Sequence, residues 1–208
     1  MRALVVYCHP RPDSFTGAIR DLVMSRLAGA GAELRQIDLY AEGFDPVMSG
    51  AENAAYLDCS IGTDHMAAHV DALGWCDTLI FIYPTWWYGL PAMLKGWLDR
   101  ALLPGSAFLM PEEEGGDINP GLTHIRRLAV FTTCGASWWL TRLVGAPGRR
   151  TILRGLRILC AKRCRTAYAA HYLMDSSTPE SRAKHLSRVN RKLDRFLGRR
   201  AKPRQAQA

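Results

Sequence analysis

Three short stretches of the 208-residue chain hold most of its chemistry-bearing side chains. Cys8-His-Pro-Arg-Pro-Asp-Ser-Phe-Thr-Gly17 puts Ser14 and Thr16 at the start of an amphipathic pattern. Free backbone N–H groups and the helix dipole at such a start favour an anion, and hydroxyl donors there suit a phosphate ester. The same residues also fit a plain helix cap, Asp13 or Ser14, worth ~1 kcal/mol. Neither GxGxxG nor GxxxxGK[ST] is present, which excludes the dinucleotide fingerprint and the nucleotide-hydrolysing P-loop. In Tyr83-Pro-Thr-Trp-Trp-Tyr-Gly-Leu-Pro91, three successive aromatics lie between prolines and cannot all be buried in one tight turn. They either line a pocket for a flat apolar ligand or meet a partner. Thr132-Thr-Cys-Gly-Ala-Ser137 offers small hydroxyl residues and a glycine, which permit close backbone approach; an ordinary turn would look the same.

Other chemistries find less support. The six cysteines (8, 59, 76, 134, 160, 164) lack CxxC spacing and read as buried thiols, although Cys160 and Cys164 could face one another across a helical turn. His65 and His69 could share a helical face, but without a third ligand or HExxH no metal site is expected. Charge is segregated. Residues 1–141 carry 9 Lys/Arg against 16 Asp/Glu, and residues 142–208 carry 18 against 3. Such a basic end marks either an anionic partner surface or the solvated face of a last helix.

The elements that must position these loops follow from the apolar pattern. Strands are expected at Ala3–Tyr7, Glu33–Leu39, Thr78–Tyr83, Leu128–Thr133 and Thr166–Tyr172. Helices are expected at Phe15–Leu27, near Glu52–Leu57, at His65–Gly74, after Pro91, over Thr151–Cys160, and from a capping box at Ser177-Thr-Pro-Glu180 onward. Apolar strands alternating with helices specify an α/β doubly wound parallel sheet, here the flavodoxin-like five-stranded order 2-1-3-4-5 in a single domain. Residues 1–198 form that domain and 199–208 a basic disordered tail. In such sheets ligands bind beyond the carboxyl ends of the strands, where the strand order reverses, so the three loops should converge. The longest apolar stretch, 78–94, is interrupted by Pro84, Gly89 and Pro91, and the N-terminus offers only Ala3–Tyr7 before His9. A cytoplasmic protein without a membrane span is therefore expected.

His9–Phe15, Tyr83–Asp99 and Thr132–Gly135 together resemble the flavin loops of the NAD(P)H:quinone oxidoreductases of the flavodoxin-like-2 family, in register over residues 2–135. The resemblance implies a non-covalent FAD or FMN, with NADPH or NADH as electron donor. A hydride would pass from the nicotinamide through flavin N5 to a quinone-like acceptor by ping-pong kinetics. His9, Ser14, Phe15 and Thr16 would hold the phosphate end, and Pro84, Thr85, Trp86, Trp87 and Tyr88 the ring. Thr132, Thr133 and Gly135 would contact the pyrimidine edge or ribityl chain. Tyr88, Trp138 and Trp139 would close over the substrate, from above or from a partner chain, since members are usually homodimers with sites at the interface. The chain departs from the family after the third loop. Cys134 replaces a glycine, and Ser137–Arg142 lacks the tyrosine and histidine of the prototypes, leaving Arg142 as a candidate to balance charge.

Two other classes fit parts of the sequence. A regulatory flavoprotein acting on a membrane transporter would carry the same pocket. A nucleic-acid binder would use the basic end, but that region lacks interleaved aromatics and any binding motif; no nucleic-acid partner is expected.

Overall fold

The computed structural model describes residues 1–56, 66–111 and 116–198. The expected tail at 199–208 lies outside them, as do Cys59 and His65. Five parallel strands form the main sheet: β1 (Arg2–Tyr7), β2 (Glu33–Asp38), β3 (Thr78–Thr85), β6 (Arg127–Cys134) and β7 (Arg165–His171), in the spatial order β2-β1-β3-β6-β7. Counted along the main sheet alone this is 2-1-3-4-5, as expected. A two-residue hairpin, β4 (Phe108–Leu109) with β5 (Asn119–Pro120), was not legible in the sequence.

The central strands are apolar on both faces because helices cover both. Alternate residues split between two cores. Val5, Tyr7, Ile80, Ile82 and Phe131 face α1 (Phe15–Ala28) and α7 (Pro179–Leu197), meeting Ile19, Val23, Val189 and Phe196. Leu4, Val6, Leu79, Phe81 and Val130 face the side of α3 (Ala67–Trp75) and α4 (Ala92–Ala101), where Trp97 is fully buried. Each large apolar side chain so buried contributes roughly 1.5–3 kcal/mol. The short α2 (Gly50–Ala55) is closed by a Ser49–Glu52 capping box. Glu52 also pairs with Arg100 at 2.7 Å, tying α2 to α4. Cys160 and Cys164 flank a turn into β7 rather than sharing a helix; the Cys160 thiol donates to the Leu156 carbonyl at 3.5 Å and the Cys164 thiol to the Arg165 carbonyl at 3.9 Å.

Some expected boundaries move, for physical reasons. The helix expected over 151–160 begins earlier, because Pro147 starts α6 (Pro147–Arg150) and the chain continues as a π-helical turn, Thr151–Leu156. The cap of α7 is Thr178 with Ser181, one residue later than expected, because Pro179 takes the first helical position and leaves Thr178 as cap. A further helix, α5 (Trp138–Leu143), starts at Ser137, whose hydroxyl accepts from the Leu140 N–H. Among the described residues, no helix is long and apolar enough to cross a membrane.

Candidate functional site

The parallel register carries β1, β3 and β6 to a common carboxyl edge, with Tyr83 opposite Thr132 and Thr85 opposite Cys134. Beyond that edge the three loops surround two adjoining cavities. The larger, about 850 Å³, is lined by Pro84, Thr85, Trp86, Trp87 and Tyr88 on one side and Thr133, Gly135 and Leu140 on the other. The second, about 670 Å³, is lined by Arg11, Ser14, Phe15 and Thr16. His9, Thr133, Met174 and Asp175 line both, so the two form one continuous slot.

The second cavity ends on the tip of α1. Ser14 is the cap; its hydroxyl accepts from the Gly17 N–H at 3.0 Å and lies 3.5 Å from the Tyr7 hydroxyl. Among the described residues the N–H groups of Phe15 and Thr16 have no hydrogen-bond partner, and they are the groups an anion would take. No acidic residue lies in this first turn to oppose one. The loop can cross so close only because residue 17 is glycine: a Cβ there would stand 2.3 Å from the Pro12 carbonyl oxygen. Burial lowers the pKa of His9. Its Nδ1 stands 3.0 Å from both the N–H and the carbonyl oxygen of Arg11, which ties the ring to the backbone of the first loop. Arg11 and Asp13 pair at 3.1 Å, and this contact holds the Asp13 carboxyl below its usual range. Both are largely exposed, so the pair adds little stability.

The aromatic loop is a tight reversal. The Gly89 N–H donates to the Trp86 carbonyl at 2.9 Å, and the two central residues both have positive φ, 47° at Trp87 and 62° at Tyr88. This is the left-handed geometry that hairpin turns reserve for Asn-Gly, and each non-glycine residue there costs about 1–2 kcal/mol. The strain leaves Trp87 94% exposed and Trp86 42% exposed at the mouth of the slot. From behind, α6 supports the turn: the Gly148 N–H reaches the Tyr88 carbonyl, and a Cβ on Gly148 would press on Gly89 at 3.0 Å.

Two threonine pairs tie the loops together. The hydroxyls of Thr16 and Thr133 meet at 3.1 Å, joining the first loop to the third, and those of Thr85 and Thr132 at 2.9 Å, joining the second to the third. Thr132 is buried and lines neither cavity, so its hydroxyl acts on the slot through Thr85. Thr132→Val should cost about 1–2 kcal/mol and weaken ligand retention severalfold, since it strands a partly buried hydroxyl. Chemical denaturation and ligand titration check this; unchanged retention would show that the tie does not shape the slot.

Sequence reasoning missed Met174, Asp175 and Arg182. The first two reach the slot because Leu173 adopts a left-handed conformation, φ 55°, and its N–H donates to the Ala136 carbonyl at 3.3 Å. Arg182, in the first turn of α7, lines the phosphate end while donating to the Ser177 hydroxyl at 3.0 Å. The only available signal was its place just after the Thr178-Pro179 cap. Trp138, 57% exposed, lines a separate cleft, and Trp139, 61% exposed, lines none of the cavities described. Arg142 stacks over Trp138 at 5.3 Å instead of lining the slot.

Behind Phe15 lie two buried histidines, His171 and His185, their rings 5.1 Å apart and each edge-on to Phe15. Burial, then the neighbouring His171 and Arg188, push the His185 pKa down to about 4; burial also lowers that of His171. Ser181, Lys184 and Arg188 face the same space, and no carboxylate lines it to stabilise a proton there. An unfolded imidazole titrates near pH 6.5. Between the two values the unfolded chain binds more protons, so this stability is complete above about pH 6.5 and lost as the pH falls towards 4. The expected loss by about pH 4 is of the order of 3 kcal/mol. Urea unfolding across that range should show it, and His185→Leu should flatten the profile; an equally steep profile in the variant would assign the effect elsewhere.

A parallel sheet whose first, third and fourth main strands open into one slot over a helix tip defines a flavodoxin-like protein, and the chain belongs to the flavodoxin-like-2 family, whose model matches residues 1–197. Among curated proteins it is 29% identical to ribosyldihydronicotinamide dehydrogenase [quinone] of Pongo abelii over 164 residues, covering 71% of this chain and 69% of that protein. It is 34% identical to the uncharacterized NAD(P)H oxidoreductase YcaK of Escherichia coli over 109 residues, 51% of this chain and 55% of the relative. The solved structure of Smu.1420 from Streptococcus mutans superposes with a TM-score of 0.78 at 27% identity, covering 92% of this chain and 97% of that one. An FMN-dependent NADH-azoreductase from Bacillus anthracis, solved with FMN, shares the fold at a TM-score of 0.76 and 16% identity, over 94% of this chain and 99% of that one.

Proposed function

We propose that this chain is a flavin-dependent NAD(P)H oxidoreductase of the quinone-reductase kind, with its flavin across the two joined cavities. The observation that carries the reading is their continuity: an aromatic-walled cavity runs through four shared residues to a helix tip with two unpaired N–H groups. The residues present fit both ends of a flavin mononucleotide. The larger cavity has room for a tricyclic ring against Trp86 and Tyr88. The tip of α1 offers Phe15 and Thr16 N–H to a phosphate, with the His9 ring and Arg182 lining the same end. A bound flavin would supply two-electron transfer from a reduced nicotinamide to a quinone-like acceptor.

The chain's own residues then have distinct tasks. Thr133 and the unpaired N–H of Gly135 form a polar edge where negative charge on a reduced ring would be stabilised. Trp86, Trp87 and Tyr88 exclude water from one face. Donor and acceptor must use that face in turn, which makes the kinetics ping-pong. The exposed Trp87 and Trp139 flank a face suited to closure by a second copy of the chain, as a homodimer with the slot at its interface. Both FMN and FAD fit this reading, since the slot stays open at its phosphate end. Purified protein should absorb as an oxidised flavin, bleach with NADPH or NADH and recover with menadione, and give parallel double-reciprocal lines. A colourless protein that takes up neither FMN nor FAD would overturn it.

A further inference from the structure

Beside the slot lies a second cleft, about 420 Å³, between the exposed edge of β7 and the outer face of α7. Arg188, Arg191, Lys192 and Arg195 line it, spaced i, i+3, i+4 and i+7, so all four project from one side of the helix. No Asp or Glu lines it, and none of the four cations has an ion pair among the described residues. Asp194, the acid nearest in sequence, is engaged by Arg26 instead. The remaining walls are three aromatics, Trp138, Tyr168 and Tyr172, with the small Ala169 and Ala170. Two more cations stack on them, Arg149 over Tyr168 at 5.1 Å and Arg142 over Trp138 at 5.3 Å. Like charges on neighbouring helical turns repel, and a bound anion would relieve that repulsion. Guanidinium groups beside flat rings match a phosphate attached to a base, and the volume is that of a small-molecule site rather than of a duplex track.

The cleft and the slot are lined by alternating residues of the same two segments. Ala136, just before α5, and Leu140 line the slot while Trp138 between them lines the cleft; just after β7, Tyr172 lines the cleft and Met174 the slot. The hydrogen bond from the Leu173 N–H to the Ala136 carbonyl is the rung between them. The cleft and the slot are thus immediate neighbours, the arrangement that the two ends of one dinucleotide require.

We propose that this cleft receives the 2′-phosphorylated adenylate end of the nicotinamide donor, so that Arg188, Arg191, Lys192 and Arg195 make the protein select NADPH over NADH. The donor role rests on the flavin reading of the slot; the nucleotide subsite itself does not. Two measurements on the purified protein separate them. Calorimetric titration with adenosine 2′,5′-bisphosphate should show binding at least about tenfold tighter than with 5′-AMP, and the Arg191→Glu, Arg195→Glu double variant should lose about tenfold or more. Its flavin content and melting should match the parent. In steady state the NADPH KM should rise about tenfold in that variant and the NADH KM far less, so the readout is the ratio of the two. Arg191→Gln with Arg195→Gln repeats both tests if the charge reversals do not fold. Absence of bisphosphate binding, equal binding by the variants, or equal loss with both donors overturns the proposal. Bisphosphate binding by a protein that takes up no flavin would keep the subsite and overturn its donor role. A duplex oligonucleotide that binds and is lost in the variants, where the bisphosphate does not bind, would make the cleft a nucleic-acid surface instead.

Discussion

Trp87→Asn should raise the stability of the folded chain while weakening its hold on a flavin, two effects of opposite sign from one side chain. The stabilising part is conformational. Trp87 sits at φ 47° in the first central position of the Trp86–Gly89 turn. Asparagine tolerates that region, so about 1 kcal/mol of strain is relieved. The indole is 94% exposed and forfeits almost no packing in exchange. For a domain of this size the gain is worth about 2–4 °C in melting temperature. The loss falls on the bound state, where removing an aromatic wall forfeits on the order of 1.5–3 kcal/mol of apolar burial, roughly tenfold to a hundredfold in flavin affinity. Thermal unfolding of the flavin-free protein and flavin titration read the two halves separately. A variant that melts lower, or holds flavin as well as the parent, would show that the turn is neither strained nor part of the slot.

Gly17→Ala should do more damage for its size. The added Cβ would stand 2.3 Å from the Pro12 carbonyl oxygen and 3.3 Å from its carbon, both backbone atoms. Relief requires the first loop to lift from α1, which costs roughly 1–3 kcal/mol as overpacking and withdraws the phosphate cradle. Flavin affinity should fall by at least about a hundredfold, the equivalent of losing two or more charge-assisted hydrogen bonds. Gly96→Ala is the control. Its Cβ would stand 2.2 Å from the Pro46 carbonyl oxygen, an equally severe contact, but neither residue lines either cavity. It should destabilise comparably and leave the flavin affinity of the folded protein near that of the parent. If both variants lose flavin alike, the first effect is general loosening and the cradle is misplaced.

Much of this architecture was legible because burial on both faces leaves a plain signature. Thr78–Tyr83 is apolar at nearly every position, as only a central parallel strand needs to be, and it became β3 two residues longer. Its neighbours followed, and strand order then brought the three loops together without any knowledge of side-chain position. Short elements escaped. The six residues of α5 bury only Thr141, so no apolar stripe announces them. The change from α6 to a π-helical turn over 151–156 has no local sequence mark. Functional side chains escaped for a different reason. Asp175 and Met174 enter the slot through a left-handed Leu173, where a glycine would have flagged a turn. Arg182 is one of 18 basic residues after position 141, and nothing in the string separates it from those facing solvent.

The paired threonine hydroxyls join all three loops through side chains of the fold itself. In each pair one hydroxyl donates to the other, and the Thr132 hydroxyl also lies 3.2 Å from the Thr133 carbonyl, to which it can donate while accepting from Thr85. The mouth of the sheet is thus braced from within by the chain's own side chains. Little ordering entropy remains to be spent on arrival of a guest, and discrimination among guests falls to whatever projects past the brace: the phosphate tail at one end and the open rim at the other.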